Sequence, residues 1–233
     1  MEMVLWLFVL LGVFGFVTLL YYSFNIAGLF GWIAVIGWVV TMHLQNLVEI
    51  FGYSFTLGNI FYATAFLASD ILCENHGRKA AYLGVGFAIA IFFIMNVIVN
   101  LPATIKLSNT MSHISDIVEL VFSRTMIAGV LSYSFAQLLN IKLYIILKKS
   151  LPQKRYLWVR NNISTILAQL LDSVIFTGIM MFNIASVSQM ISIMLAIFVI
   201  KLIFALLDTP WIYVAKAIGL RLQDRASALD WMR

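Results

Sequence analysis

Seven times in 233 residues the chain runs for about twenty residues almost without a charge, the length of an α-helix that crosses the hydrocarbon core of a bilayer. The stretches cover 3–22, 26–48, 55–72, 80–101 (stopped by Pro102), 123–147, 162–181 and 188–207. Composition agrees: 63% of residues are hydrophobic and 11% charged, against about 45–50% and about 25% in a soluble domain. Lipid is the solvent that accommodates this much apolar surface. The expected fold is therefore all-α, a polytopic transmembrane bundle of about seven helices, with six as the alternative, forming a single domain over 1–233.

Loop charges give the orientation. Arg78 and Lys79 follow the third stretch; Lys148, Lys149, Lys154, Arg155 and Arg160 follow the fifth; Lys216, Arg221, Arg225 and Arg233 lie in the tail. With seven helices all three groups fall on one side, which puts the N-terminus outside and the C-terminus in the cytoplasm. Six helices break that agreement. The net charge of +5 thus reflects insertion rather than a nucleic-acid partner. The first stretch lacks a basic leader and a small-residue cleavage site, so it reads as a retained helix rather than a signal peptide. Residues 103–122 read as an interfacial segment and 211–233 as a cytoplasmic amphipathic tail. One cysteine, Cys73, excludes an intrachain disulfide.

Charges near the bilayer centre cost on the order of 2.5–3.5 kcal/mol and persist where they meet a partner or a cavity. Asp172 and Lys201 lie mid-stretch, and Lys142 lies closer to an end, where it can snorkel to the interface. Gln137 with Asn140, and Gln169 with Asp172, are three residues apart and share helix faces. They are candidates to line one polar cavity, with Lys201 reaching in; the competing reading is a buried Asp172–Lys201 pair that fixes the bundle. Asp70, Glu74, Arg78 and Lys79 form a second cluster, read either as a gate closed by ion pairs or as a helix end with topology-setting charges. Asp208 reads as the end of the last stretch before Pro210.

An internal similarity relates these groups. Ser132-x3-Ala136-Gln137-Leu138-Leu139-Asn140 recurs 32 residues later as Ser164-x3-Ala168-Gln169-Leu170-Leu171-Asp172. The copies lie on neighbouring antiparallel helices, as in the inverted repeats of secondary transporters. A small-residue stripe that lets helices pack closely gives the same pattern, and both readings stay open. The sequence carries no P-loop, H-E-x-x-H or G-x-S-x-G motif, and His43, His76 and His113 are far apart. No cofactor, metal or enzymatic activity is expected.

The sequence from Ser23 to Pro210 resembles the queuosine precursor transporters, a vitamin uptake transporter group. The resemblance rests on Thr56-Leu57-Gly58-Asn59, on Phe66-Leu67-Ala68-x-Asp70-Ile71-Leu72-x-Glu74-x-x-Gly77-Arg78-Lys79 and on Arg124 thirteen residues before Gln137. It continues through Tyr156-Leu157-Trp158-x-Arg160-Asn161, Ser164-Thr165, Gln169-x-x-Asp172, Lys201 and Asp208-Thr209-Pro210. One departure is Asn140, where the family usually carries aspartate, so a proton-coupling role is not implied at that position. The resemblance implies an inner-membrane importer of 7-cyano-7-deazaguanine, its aminomethyl relative or queuine, for salvage into tRNA queuosine by alternating access. A guanine-like edge offers N–H donors to a carboxylate and a carbonyl to amide or ammonium donors. The expected substrate contacts are Asn59, Asp70, Gln137, Asn140, Gln169, Asp172 and Lys201; the expected gating residues are Glu74, Arg78, Lys79 and Arg124. The partners are then the planar base and the bilayer, with small-residue stripes that permit a homodimer and no direct nucleic-acid contact. The rival readings are a substrate-binding subunit of an energy-coupling-factor importer and a non-transporting membrane scaffold.

Overall fold

The computed structural model describes residues 2–43, 47–50, 53–104 and 112–230. They form a helical bundle whose outside is apolar and whose inside is polar in its middle layers. Phe8, Leu83, Ile184 and Val187 stand 68–72% exposed, while Asp70, Gln137 and Asn140 are fully buried. That inversion of the soluble pattern suits lipid as the surrounding medium.

Helix α1 spans Glu2–Met42 and is broken at Asn25, which has φ 53° and ψ −136°. The rings of Phe16 and Trp32 are 5.4 Å apart, whereas sixteen residues of unbroken helix would separate them by about 24 Å. The two halves therefore fold back on each other. Asparagine tolerates the positive φ, and Gly28 permits the close approach, since a Cβ there would lie 2.4 Å from the Leu20 carbonyl oxygen. The first two expected helices meet at this break.

The second does not continue to Val48. Leu47–Ile50 (β1) and Tyr53–Thr56 (β2) pair antiparallel, Leu47 opposite Thr56 and Ile50 opposite Tyr53. The bundle is helical, as expected, and this two-stranded hairpin is a small departure within it. The hairpin's residues are rich in β-branched and aromatic types, and Tyr53–Thr56 alternate apolar with polar, which is strand chemistry; apolar length alone assigns them to helices.

Helix α2 (Gly58–Ile71) runs into a π-helical turn, Leu72–His76, and then α3 (Gly77–Thr104). Gly77, at φ 80° and ψ −175°, occupies a region open essentially to glycine. Helix α3 passes through Pro102 to Thr104. Of the interfacial segment expected at 103–122, residues 105–111 lie outside the described residues, and 112–122 belong to α4 (Ser112–Ser150). Only Gly129 breaks the run of helix-compatible residues there, and at about 58 Å α4 is longer than the hydrocarbon core.

A 3₁₀ turn, Lys154–Tyr156, leads into α5 (Leu157–Met181), which starts five residues before the expected 162 and so takes Arg160 and Asn161 into the helix. Helix α6 (Val187–Leu207) begins on a capping box in which Ser186 and Gln189 satisfy each other's backbone N–H. Asp208 ends it, and α7 (Thr209–Asp230) follows with Pro210 in its first turn. The tail is packed rather than lying apart: Ile212 and Ala215 are buried in the main core with Phe14, Tyr21 and Leu72. Five stretches are long and apolar enough to cross a membrane: Trp6–Val40, Gly58–Met95, Ile127–Ser150, Lys154–Met181 and Val187–Gln223. Three of the breaks in the chain path, at Asn25, at Gly77 and at Asp208, fall inside three of them.

Candidate functional site

One face of α2 organises the interior. Tyr62, Phe66, Asp70 and Glu74 recur every four residues, a line about 18 Å long at 1.5 Å per residue. Helices α4, α5, α6 and α7 bring partners to it at three levels.

At the first level Asp172 of α5 receives the Tyr62 hydroxyl at 2.7 Å and the Lys201 ammonium of α6. The side chains of that ion pair are 6% and 4% exposed. Lys201 also lies 5.2 Å over the Tyr62 ring. Tyr62 packs edge-on to Phe66 (5.5 Å) and Tyr133 (5.9 Å). A buried charge that is paired and hydrogen-bonded escapes most of its desolvation penalty, so this arrangement holds a carboxylate and an ammonium within the bundle.

Around it lie polar groups without a hydrogen-bond partner among the described residues: Tyr133 Oη, both amide atoms of Gln137, Gln169 Oε1 and Thr177 Oγ1. Each residue is 3% exposed or less. The register of α4 on α5 is fixed by Asn140 opposite Thr165, 3.5 Å apart. In an antiparallel pair, stepping one turn back along α4 and one turn on along α5 sets Gln137 level with Gln169. Ala136 and Ala168, next to them, share one small buried cluster with Phe66. Unpaired buried polar groups are costly and rare, and a set of them beside aromatic rings and an ion pair is the composition of a ligand site.

At the second level Asp70 accepts from Asn140 Nδ2 at 2.6 Å and Thr165 Oγ1 at 3.0 Å, and Asn140 Nδ2 also reaches Ser69 Oγ at 3.3 Å. At the third, Glu74 on the π turn receives Arg160 of α5 at 2.9 Å, Lys216 of α7 at 3.0 Å and the Tyr144 hydroxyl of α4 at 3.0 Å, with Lys148 at 3.9 Å. Lys148 also donates to the Cys73 and Glu74 carbonyls, and Arg160 to that of Leu151 at 2.8 Å. A single carboxylate thus ties together three helices at the end where the basic residues gather. Beside it, Asn161 donates to Asp208 at 2.7 Å and Asn162 to Thr209 at 2.8 Å, joining α5 to the α6–α7 corner.

The expected residues therefore divide. Gln137, Gln169, Asp172 and Lys201 come together, but Asn140 turns away from them toward Asp70, so the four polar residues of the repeat serve two levels rather than one cavity. Asn59, half-buried in the first turn of α2, donates to Thr56 Oγ1 at 3.2 Å and has no hydrogen bond to either carboxylate. Arg78 and Lys79 are exposed, Arg78 lying over the Tyr82 ring at 5.4 Å; the cations that reach Glu74 are Arg160, Lys148 and Lys216. Arg124 donates to the Met180 and Phe182 carbonyls at the far end of α5, and Lys142 is exposed. Sequence reading overlooked Tyr62, Tyr144, Thr165 and Arg160 as site groups. The four-residue spacing that places Tyr62 on the face of Asp70 and Glu74 was the available signal.

A family profile described as "putative vitamin uptake transporter" matches residues 56–215. A protein of Bacillus subtilis (strain 168) named "probable queuosine precursor transporter" is 32% identical over 219 residues, covering 91% of this chain and 93% of its own. No solved structure matches. The family match takes in the whole α2 face and its partners described above except Lys216, and the chain is a multi-pass protein of the cell membrane. It belongs to the vitamin uptake transporter family and, within it, to the queuosine precursor transporters.

Proposed function

We propose that the chain imports a queuosine precursor, a 7-deazaguanine base, by alternating access, acting as a carrier and not as an enzyme. The observation that carries this reading is the set of unpartnered buried groups, Tyr133, Gln137, Gln169 and Thr177, beside the Asp172–Lys201 pair. A 7-deazaguanine matches their chemistry. Its ring N–H and exocyclic amine are donors for Asp172 and Gln169 Oε1; its carbonyl accepts from Gln137 Nε2 or Lys201. Its flat face suits Tyr62, Tyr133 and Phe66, and aromatic stacking contributes about 1–3 kcal/mol per base. The name of the Bacillus relative points to the same substrate class.

Seven crossings account for the levels: two halves of α1, then α2 to α6, with the N-terminus outside and the C-terminus inside. The base then sits near the midplane, and Glu74 with Arg160, Lys148 and Lys216 closes the cytoplasmic end. Opening requires those ion pairs to separate as α5 and α7 move from the π turn.

The test is restoration of queuosine in tRNA. A bacterium unable to make or import the precursors expresses the chain and is fed each of the three bases at low concentration. Restoration by at least one base is expected, and replacement of Gln137 or Asp172 by Ala abolishes it with the protein still in the membrane. Absence of restoration by every base refutes the substrate class. Restoration that requires separate ATPase subunits replaces the carrier by an energy-coupling-factor subunit.

A further inference from the structure

Three buried carboxylates lie on or against the α2 face, and their partners differ in kind. Asp172 has Lys201, and Glu74 has Arg160, Lys216 and Lys148. Asp70, 0% exposed, forms no ion pair among the described residues and is held by neutral groups alone, Asn140 and Thr165. The titratable groups near enough to act on it electrostatically are Cys73 and Glu74 from the π turn, Tyr144 from α4 and Asp208 from the end of α6. Arg160, Lys148 and Lys216 approach from α5, α4 and α7 but spend their bonds on Glu74 and on nearby carbonyls. A lone carboxylate in such a place is expensive as an anion and inexpensive as an acid.

The hydrogen-bond geometry accommodates both forms. With Asp70 ionised, Thr165 Oγ1 donates to Oδ2 and Asn140 Nδ2 donates to Oδ1. With a proton on Oδ2, the new O–H donates to Thr165 Oγ1. The threonine hydrogen then turns to Asn140 Oδ1, 3.5 Å away, and Asn140 Nδ2 still donates to Oδ1 of Asp70. With Asp70 ionised, Asn140 Oδ1 has no donor among the described residues, and protonation of Asp70 supplies one by turning the Thr165 hydrogen to it, because a hydroxyl is donor and acceptor at once. Asp208, whose carboxylate accepts only from Asn161 among the described residues, has no such relay there.

We infer that Asp70 is a proton-binding site through which uptake is coupled to the proton gradient, with Thr165 and Asn140 as the relay that holds either form. The inference rests on the carrier reading above. In the inward step the Asp70 carboxylate takes one proton from a hydronium ion reaching it from outside: an O–H bond of the hydronium breaks to leave water, and one forms on the carboxylate. In the release step that bond breaks and the proton passes to water on the cytoplasmic side. The 7-cyano base is neutral, so each cycle that carries it moves one positive charge inward. Asp70 lies about 12 Å along α2 from Tyr62 and about 6 Å from Glu74. It is thus between the base and the cytoplasmic lock, where its charge is felt by Glu74 when the lock opens.

The test uses the whole chain in liposomes with labelled 7-cyano-7-deazaguanine. For one proton per base, an inward gradient of one pH unit supports about tenfold accumulation. Wild type is expected to show it with sodium absent. D70N is expected to exchange internal for external base but to lose accumulation, and T165V to reduce accumulation while exchange persists. Infrared difference spectra of the ligand-free protein over a pH titration give a readout without substrate: a carboxylic C=O band appears on acidification in wild type and is missing in D70N. Accumulation by D70N at the wild-type level, accumulation driven by sodium instead of protons, or an unchanged C=O band in D70N overturns the inference. Absence of exchange of any of the three bases by wild type refutes the substrate reading alone, and the infrared band then decides on Asp70.

Discussion

Gln137→Met is expected to stabilise the protein and to abolish transport. Gln137 is 0% exposed, and neither its Nε2 nor its Oε1 has a partner among the described residues. Leaving a buried donor or acceptor unpaired costs about 1–3 kcal/mol, and methionine fills nearly the same volume with no group to satisfy. The substitution therefore recovers on the order of 1–3 kcal/mol, read as a higher melting temperature in detergent. Uptake of the base falls to background because the amide meant for its carbonyl is gone. Stability purchased at the expense of function is the signature of a site kept unsatisfied for a ligand. A matching control is ligand protection: base raises the melting temperature of wild type by mass action and leaves that of the variant unchanged. Two results refute the reasoning. A destabilised variant means that the amide is satisfied in the resting protein, and a stabilised variant that still transports means that Gln137 is not in the site.

Asp172→Asn leaves the Lys201 ammonium buried without its counter-charge and is expected to cost about 3–5 kcal/mol. The double variant D172N/K201Q should recover most of that in a thermal unfolding cycle, yet remain inactive in uptake; full recovery of uptake would reduce the pair to a structural tie. Glu74→Gln removes the charge that holds Arg160, Lys148 and Lys216. Faster maleimide labelling of Cys73, the single and fully buried cysteine, is expected in membranes, and an unchanged rate would show that these pairs do not close the cytoplasmic end. Gly77→Ala forces a side chain into a backbone region that costs about 1–3 kcal/mol. Gly86→Ala, with open space around its Cβ position, should match or exceed wild type by up to about 1 kcal/mol, and equal melting temperatures for the two would contradict the strain argument.

Much of the bundle was legible because lipid imposes a simple rule: about twenty apolar residues per crossing. The break at Asn25, the end of α6 at Asp208 and the capped start near residue 187 fall where apolar runs stop. The hairpin at 47–56 was not legible by that rule, since strand and helix residues are equally apolar and differ there only in period. The partnership of Lys216 with Glu74 was hidden for another reason. It joins residues 142 apart in sequence, and a lysine in a basic tail is explained well enough by topology that nothing asks for a partner. Asp172 with Lys201 was easier: each is a charge that the membrane interior penalises, so each demands the other.

The internal repeat explains why position 140 carries asparagine while its counterpart, 172, carries aspartate. Ala136 and Ala168 meet in one small cluster with Phe66, so α4 and α5 approach closely there and equivalent residues lie at opposite ends of the contact. Position 172 faces the Lys201 ammonium, and a carboxylate is the group that compensates it. Position 140 faces the Asp70 carboxylate at 2.6 Å, where a second carboxylate would require a shared proton to avoid like-charge repulsion. An amide supplies the donor without a charge and leaves its own oxygen for Thr165. The chemistry of the two copies thus follows the charge of the partner across the bundle. On the proposed reading the asymmetry gives them separate tasks: Gln169 and Asp172 to the base, Asn140 to the acid on α2.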